Sequence, residues 1–136
     1  MKMKLLNILK ESMGIVPFPF KNRKSINITN KDGEDISVDC ELPQTEEEKS
    51  QGLLHRDSLD ENCGVLFDGG NGGYHMVGMK FPIEMIFING NEIVDIIKAN
   101  PGDKHISSNQ EYTHNLEVND GFCVENGVTV GCKVVG

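Results

Sequence analysis

The sequence predicts an all-β sandwich or barrel with one short helix and an N-terminal arm, and three observations lead there. Short apolar runs bounded by Gly, Asn, Asp and Pro recur from Ser25 onward; the first of them alternate apolar and polar residues; and only one stretch in that region carries a helix start signal. A chain of 136 residues is one domain with room for a core of its own.

Residues 2–13 place Leu5, Leu6, Leu9 and Met13 on one side at helical spacing, and Gly14 follows as a C-terminal stop, which predicts a short amphipathic helix. In Ile15-Val-Pro-Phe-Pro-Phe20 the two prolines forbid a helix and impose an extended path. Residues 1–23 therefore read as an arm and residues 24–136 as the β domain. The arm carries Leu5, Leu9, Met13, Phe18, Phe20 and Arg23, and its apolar side must be buried on its own domain or on a neighbour.

The domain begins with a hairpin. Ile26 and Ile28 alternate with polar residues, Asn30-Lys-Asp-Gly33 turns the chain, and Ile36, Val38, Cys40 and Leu42 alternate again. Thr45-Glu-Glu-Glu48 is a capping box whose acids suit the helix dipole, and the helix it starts is expected to reach about His55. Gly64–Phe67 is a short strand, and Asp68-Gly-Gly-Asn-Gly-Gly73 is a loop without the spacing of a dinucleotide or P-loop motif. From Ile83 to Ile88 both parities are apolar except at Glu84, the pattern of a strand covered on both faces. Glu92–Lys98, Asn115–Val118, Val128–Val130 and Cys132–Val135 complete the strands, with turns at Asn119-Asp-Gly121 and Asn126-Gly127. The expected core is Val38, Leu66, Phe67, Ile83, Met85, Phe87 and Ile96.

Charge is divided unevenly. Residues 1–31 carry seven basic groups and one acid, a balance of +6, whereas the remainder carries six basic and twenty acidic groups, −14, for a net charge of −8. An acidic body argues against a nucleic-acid face, which needs clustered Lys and Arg. No apolar run approaches the roughly 20 residues of a membrane span. Leu5-Leu6-Asn7-Ile8-Leu9 is too short and too interrupted for a signal sequence, so the chain is expected in the cytoplasm or in a virus particle assembled there. Cys40, Cys63, Cys123 and Cys132 contain no Cys-x-x-Cys pair and read as free thiols, and His55, His75, His105 and His114 lack ligand spacing, so neither metal nor cofactor is indicated.

Gly52-Leu-Leu-His-Arg-Asp-Ser-Leu59, Gly64-Val-Leu-Phe67, His75-Met-Val-Gly-Met-Lys-Phe-Pro-Ile-Glu84, Ile86-Phe-Ile88 and Leu116-Glu-Val-Asn-Asp-Gly121 fall in the order and spacing of a known family. Over residues 36–135 the chain resembles domain-of-unknown-function family 192. The resemblance implies a small β-rich domain of jelly-roll-like architecture and no established activity. Arg56 matches the arginine of the family's glycine-leucine-x-x-arginine turn. Glu84 stands where the family's proline-hydrophobic-aspartate string ends, one methylene longer.

A carboxylate in a buried strand needs a partner, because an unpaired buried charge costs several kcal/mol or more. For Glu84 the expected partner is Arg56, in a bidentate pair. Two readings follow. In one, Arg56 and Glu84 form a structural bridge and the protein is a non-catalytic subunit, held by its basic arm to other protein subunits or copies of itself in an assembly such as a virion. In the other, Arg56, His75, Lys80 and Glu84 line a pocket of a small enzyme or anionic-ligand-binding module. No nucleophile stands beside a base, so no catalytic residue is assigned.

Overall fold

A computed structural model of the chain describes residues 14–69 and 72–136. The predicted helix at residues 2–13, with Leu5, Leu9 and Met13, lies outside the described residues. Within them the strands are β1 (Arg23–Thr29), β2 (Asp35–Glu41), β3 (Cys63–Asp68), β4 (Ile83–Asn89), β5 (Glu92–Ala99), β6 (His114–Asn119) and β7 (Lys133–Val135). Two short helices join them, α1 (Glu46–Gln51) and α2 (Phe122–Asn126). The strands close into a barrel in the order β1-β2-β3-β6-β4-β5-β7, β7 pairing back onto β1. Every pairing is antiparallel except β2 with β3, whose parallel register (Asp39 opposite Cys63, Glu41 opposite Val65) requires the crossover that contains α1.

Local chemistry sets each element. The first hairpin forms as its alternation dictates, with Ile26 opposite Val38 and Ile28 opposite Ile36. Asn30 fixes its turn by accepting, at Oδ1, the amides of Asp32 and Glu34. Thr45 and Glu48 make the reciprocal capping-box bonds at the start of α1. That helix ends at Gln51, not near His55, because Gly52 takes φ +50° and turns the chain onto the sheet. A β-carbon at Gly52 would also lie 3.3 Å from the Phe67 ring, so side-chain bulk is disfavoured there on both counts. The expected strand at Val128–Val130 is absent. The chain instead forms α2 between Gly121 and Gly127, both left-handed, and Val128 drops into the core.

Two apolar layers share one sheet. Inside the barrel, Ile26, Val38, Cys40, Ile86, Leu116 and Val118 pack with Phe122 and Val128. On the outer face of β3, β4, β5 and β6, a second cluster joins Val65, Ile83, Met85 and Phe87 to Phe20, Leu53, Met76 and Ile106 from the covering segments. Strand β4 therefore sends Ile86 and Ile88 inward and Ile83, Met85 and Phe87 outward, and both faces are buried. Of the expected core, Val38, Ile83, Met85 and Phe87 are buried, while Leu66, Phe67 and Ile96 are partly buried and packed against the clusters. Each fully buried side chain contributes roughly 1.5–3 kcal/mol.

The segment before β1 packs on its own domain. Val16 donates its amide to Gln51 Oε1 at 2.7 Å and its carbonyl accepts Gln51 Nε2 at 2.9 Å. Phe20 is 2% exposed and donates its amide to Glu41 Oε1 at 2.7 Å. Arg23 pairs with Asp39 on the adjacent strand. Of the two places open to the apolar side of this stretch, its own domain or a neighbour, the domain takes residues 16–20. Phe18, Phe20 and Arg23 are thus engaged within the chain.

Candidate functional site

The expected pairing of Arg56 with Glu84 is not formed, because each has a better partner. Arg56 follows α1 and reaches the last residue of β2: Nη1 lies 2.7 Å from Glu41 Oε2 and Nη2 2.8 Å from Oε1, a bidentate pair with both side chains almost fully buried. With the Phe20 amide on Oε1, the Glu41 carboxylate has three donors. The guanidinium carbon lies 4.9 Å from the ring centroids of both Phe18 and Phe20, so the extended aromatic segment covers most of the pair. Arg56 Nε is buried without a hydrogen-bond partner.

Glu84 points to the end of the barrel, where its two oxygens accept the amides of Gly121 and Cys123 at 2.9 Å each. Gly121 has no side chain with which to cap α2, so β4 supplies the cap, and the carboxylate meets the positive end of the helix. A buried carboxylate is thus tolerated without a basic side chain. His75 is exposed, and its Nδ1 accepts the Val77 amide at 3.2 Å. Lys80 makes a surface pair with Asp57 at 3.1 Å. The structure does not bring Arg56, His75, Lys80 and Glu84 into one pocket: the guanidinium is committed to Glu41, Glu84 caps α2, and Lys80 lies on the surface.

His75 instead lies at the rim of a different cleft, of about 220 Å³, on the outer face of the sheet. One wall is α1 with the turn after it, from Lys49 to Leu54; the other is Gly73 to Met79; Phe67 and Glu117 lie between them. Glu117 belongs to β6, between β3 and β4 in the sheet, opposite Val65 on one side and Met85 on the other. Leu116 and Val118 point into the barrel, which sends Asn115 and Glu117 outward into the second cluster. Among the described residues no side chain gives Glu117 a short ion pair. Burial pushes its carboxyl up to about 7, opposed by the Asn115 amide and by the charge of Arg56. Asn115 is fully buried, and neither its Nδ2 nor its Oδ1 makes a well-formed hydrogen bond. The amide nevertheless lies close enough to Glu117 and Tyr74 to favour their ionised forms. The Tyr74 hydroxyl is 3.0 Å from that of Tyr112, and burial raises its pKa.

Sequence reasoning missed Glu117, Asn115 and Glu41, all at polar parity on alternating strands, where exposure is the ordinary reading. One signal pointed the other way. A strand buried on both faces, as Ile83–Ile88 reads, requires neighbours whose outer faces are covered as well.

The thiols offer no nucleophile beside the cleft. All four cysteines are free, and burial pushes Cys40 up to about 12 and raises Cys123 too. Among the described residues no three His, Cys, Asp or Glu side chains are grouped to hold a metal, and no helix is long and apolar enough to cross a membrane.

A closed seven-stranded barrel whose outer face is roofed over a buried carboxyl defines the class of domain. The profile of the DUF192 family, described as "Uncharacterized ACR", matches residues 27–136, and the chain belongs to that family. Among solved structures it is similar to the "putative transcription regulator" from Sinorhizobium meliloti 1021, with 25% identity, a TM-score of 0.80, and coverage of 88% of this chain and 98% of that one. It is also similar in fold to a protein of unknown function from Novosphingobium aromaticivorans DSM 12444, with 22% identity, a TM-score of 0.75, and coverage of 84% and 85%. No curated protein matches the chain.

Proposed function

We propose that the domain binds a small organic molecule in the cleft over β6, with Glu117 as the group that recognises it. The observation that carries this reading is a carboxyl set on a central strand, in a largely apolar layer, facing a cleft and lacking an ion-pair partner among the described residues. Structural carboxyls in this protein are saturated, as Glu41 is by Arg56 and Phe20 and Glu84 by the α2 amides. Glu117 alone among these buried acids keeps its hydrogen-bonding capacity for something else. An apolar cavity of about 150 Å³ holds benzene, so a cleft of about 220 Å³ suits a molecule with one ring or a short branched chain. Amide NMR spectra recorded with a set of one-ring amines, alcohols, amides and acids test the reading. Binders should perturb Gly52, Phe67, Tyr74 and Glu117 together; no perturbation of that group by any of them would sink it.

A second reading rests on the charge division. The balance of +6 in residues 1–31 against −14 in the rest favours association of this basic N-terminal end with acidic protein subunits, as in a particle assembled from many chains. Sedimentation of the full chain and of a chain beginning at Gly14 separates it from the first. Loss of association on truncation supports assembly, and identical sedimentation of both removes it.

A further inference from the structure

We infer that the cleft over Glu117 takes a small organic cation, an amine or amidine on an apolar body. This deepens the ligand-binding reading and rests on it. The argument begins with a charge count around the cleft. Arg56 is the one buried basic side chain among the described residues, and Glu41 neutralises it in a bidentate pair at 2.7 and 2.8 Å. Arg56 therefore acts on Glu117 only at longer range. The other charged and titratable groups facing the cleft are Lys49 on α1, which reaches out toward Asp68 at 3.9 Å, and His75 and the Tyr74 hydroxyl on the opposite wall. None of them closes on Glu117. With Glu117 ionised, the buried layer is one positive charge short.

The walls narrow the chemistry further. Leu53, Leu54, Met76 and Met79 are apolar and polarisable, and Phe67 and Tyr74 add aromatic surface. Such walls accept a weakly hydrated, delocalised or alkylated cation, through cation–π and sulfur contacts, far better than a compact hydrated one. An anionic ligand could reach Lys49 or His75 on the walls, but at Glu117 it would meet a like charge with no free guanidinium to offset it, since Arg56 is committed to Glu41. A neutral amide or alcohol can bond to Glu117 but leaves the charge uncompensated. Asn115, fully buried and without a well-formed hydrogen bond, stands two residues along the same face of β6 as a neutral polar group that favours the ionised form of Glu117 without cancelling its charge.

Three molecules of the same size and shape, benzamidinium, benzamide and benzoate, separate the outcomes when titrated into the full chain and followed by amide NMR between pH 5.5 and 8.5. Benzamidinium should perturb the cleft amides. Its affinity should rise about tenfold per pH unit well below the Glu117 midpoint, which burial places at about 7, and level off above it. Benzamide should bind more weakly at high pH, and benzoate not at all. Glu117→Gln should bring benzamidinium down to the level of benzamide and flatten its profile, whereas His75→Asn should leave the profile in place. If benzamide or benzoate binds the cleft as tightly as benzamidinium at pH 8.5, or if the profile survives in Glu117→Gln, the cation inference is overturned while the ligand site stands. If none of the three perturbs the cleft, the inference falls together with the reading beneath it.

Discussion

Glu41 and Glu117 are both carboxyls in the outer layer of one sheet, and their surroundings give them opposite tasks. Glu41 accepts three charge-assisted or amide bonds and is structural. Glu41→Gln leaves Arg56 without its ionic partner in a buried site and should cost about 3–5 kcal/mol by chemical denaturation. Replacing the pair together with Leu and Met should cost less than the sum of the two single changes; additive costs would show that the two side chains do not depend on each other. Glu117 titrates near neutrality because burial lifts its carboxyl from 4.5 to about 7. Between these values the folded protein keeps a proton that the unfolded chain has released. Its contribution is therefore favourable at low pH, lost as pH rises through that window, and constant above it. The stability of wild type relative to Glu117→Gln should fall by up to about 1.4 kcal/mol per pH unit across this range. A difference that does not change with pH would mean that Glu117 is ionised throughout.

At the scale of elements, the extended segment before β1 and the five-residue helix α2 depart most from what the sequence shows. The two prolines identify residues 15–20 as extended, and Phe18 and Phe20 identify them as a segment that lies on something. That the surface beneath is a buried Arg–Glu pair of the same domain depends on Arg56 and Glu41 meeting from different elements, a contact no local pattern encodes. Phe20→Ala should accordingly cost about 3–5 kcal/mol, and a chain beginning at Lys24 should lose more. Unchanged thermal stability in either would return this segment to the status of a free arm. Helix α2 escaped notice because Gly121 and Gly127 read as turns and too few residues lie between them for a period to show. Glu84 was visible as a buried acid in want of a partner, but backbone amides are invisible in a sequence, so the nearest plausible guanidinium stood in for them. Glu84→Ala should cost roughly 1–3 kcal/mol and speed hydrogen exchange at the Gly121 and Cys123 amides. Unaltered exchange there would argue that α2 does not rely on the cap.

For the molecule as a whole, the burial of both faces of β4 was legible because both of its parities are apolar, and that single fact implies two layers on one sheet. The closure of the barrel was not, because it depends on β7 meeting β1 and on a parallel β2–β3 pair that only the crossover permits. The barrel is tight where β3 meets β6. A β-carbon on Gly64 would come within 2.8 Å of Leu116 Cδ1 and 2.9 Å of the Glu117 carbonyl. Gly64→Ala should therefore cost about 1–3 kcal/mol, and a neutral result would show that β6 can give way. The two layers also divide the tasks of the sequence between them. Substitutions in the interior are answerable to folding, because those side chains pack against one another inside the barrel. On the ligand-binding reading, substitutions at Leu54 or Met79 are answerable to the occupant of the cleft, whereas Leu53 and Met76, buried in the outer cluster, answer to folding as well. On that reading, a lineage built on this fold would exchange one occupant for another by changing its roof and leaving its foundations as they are.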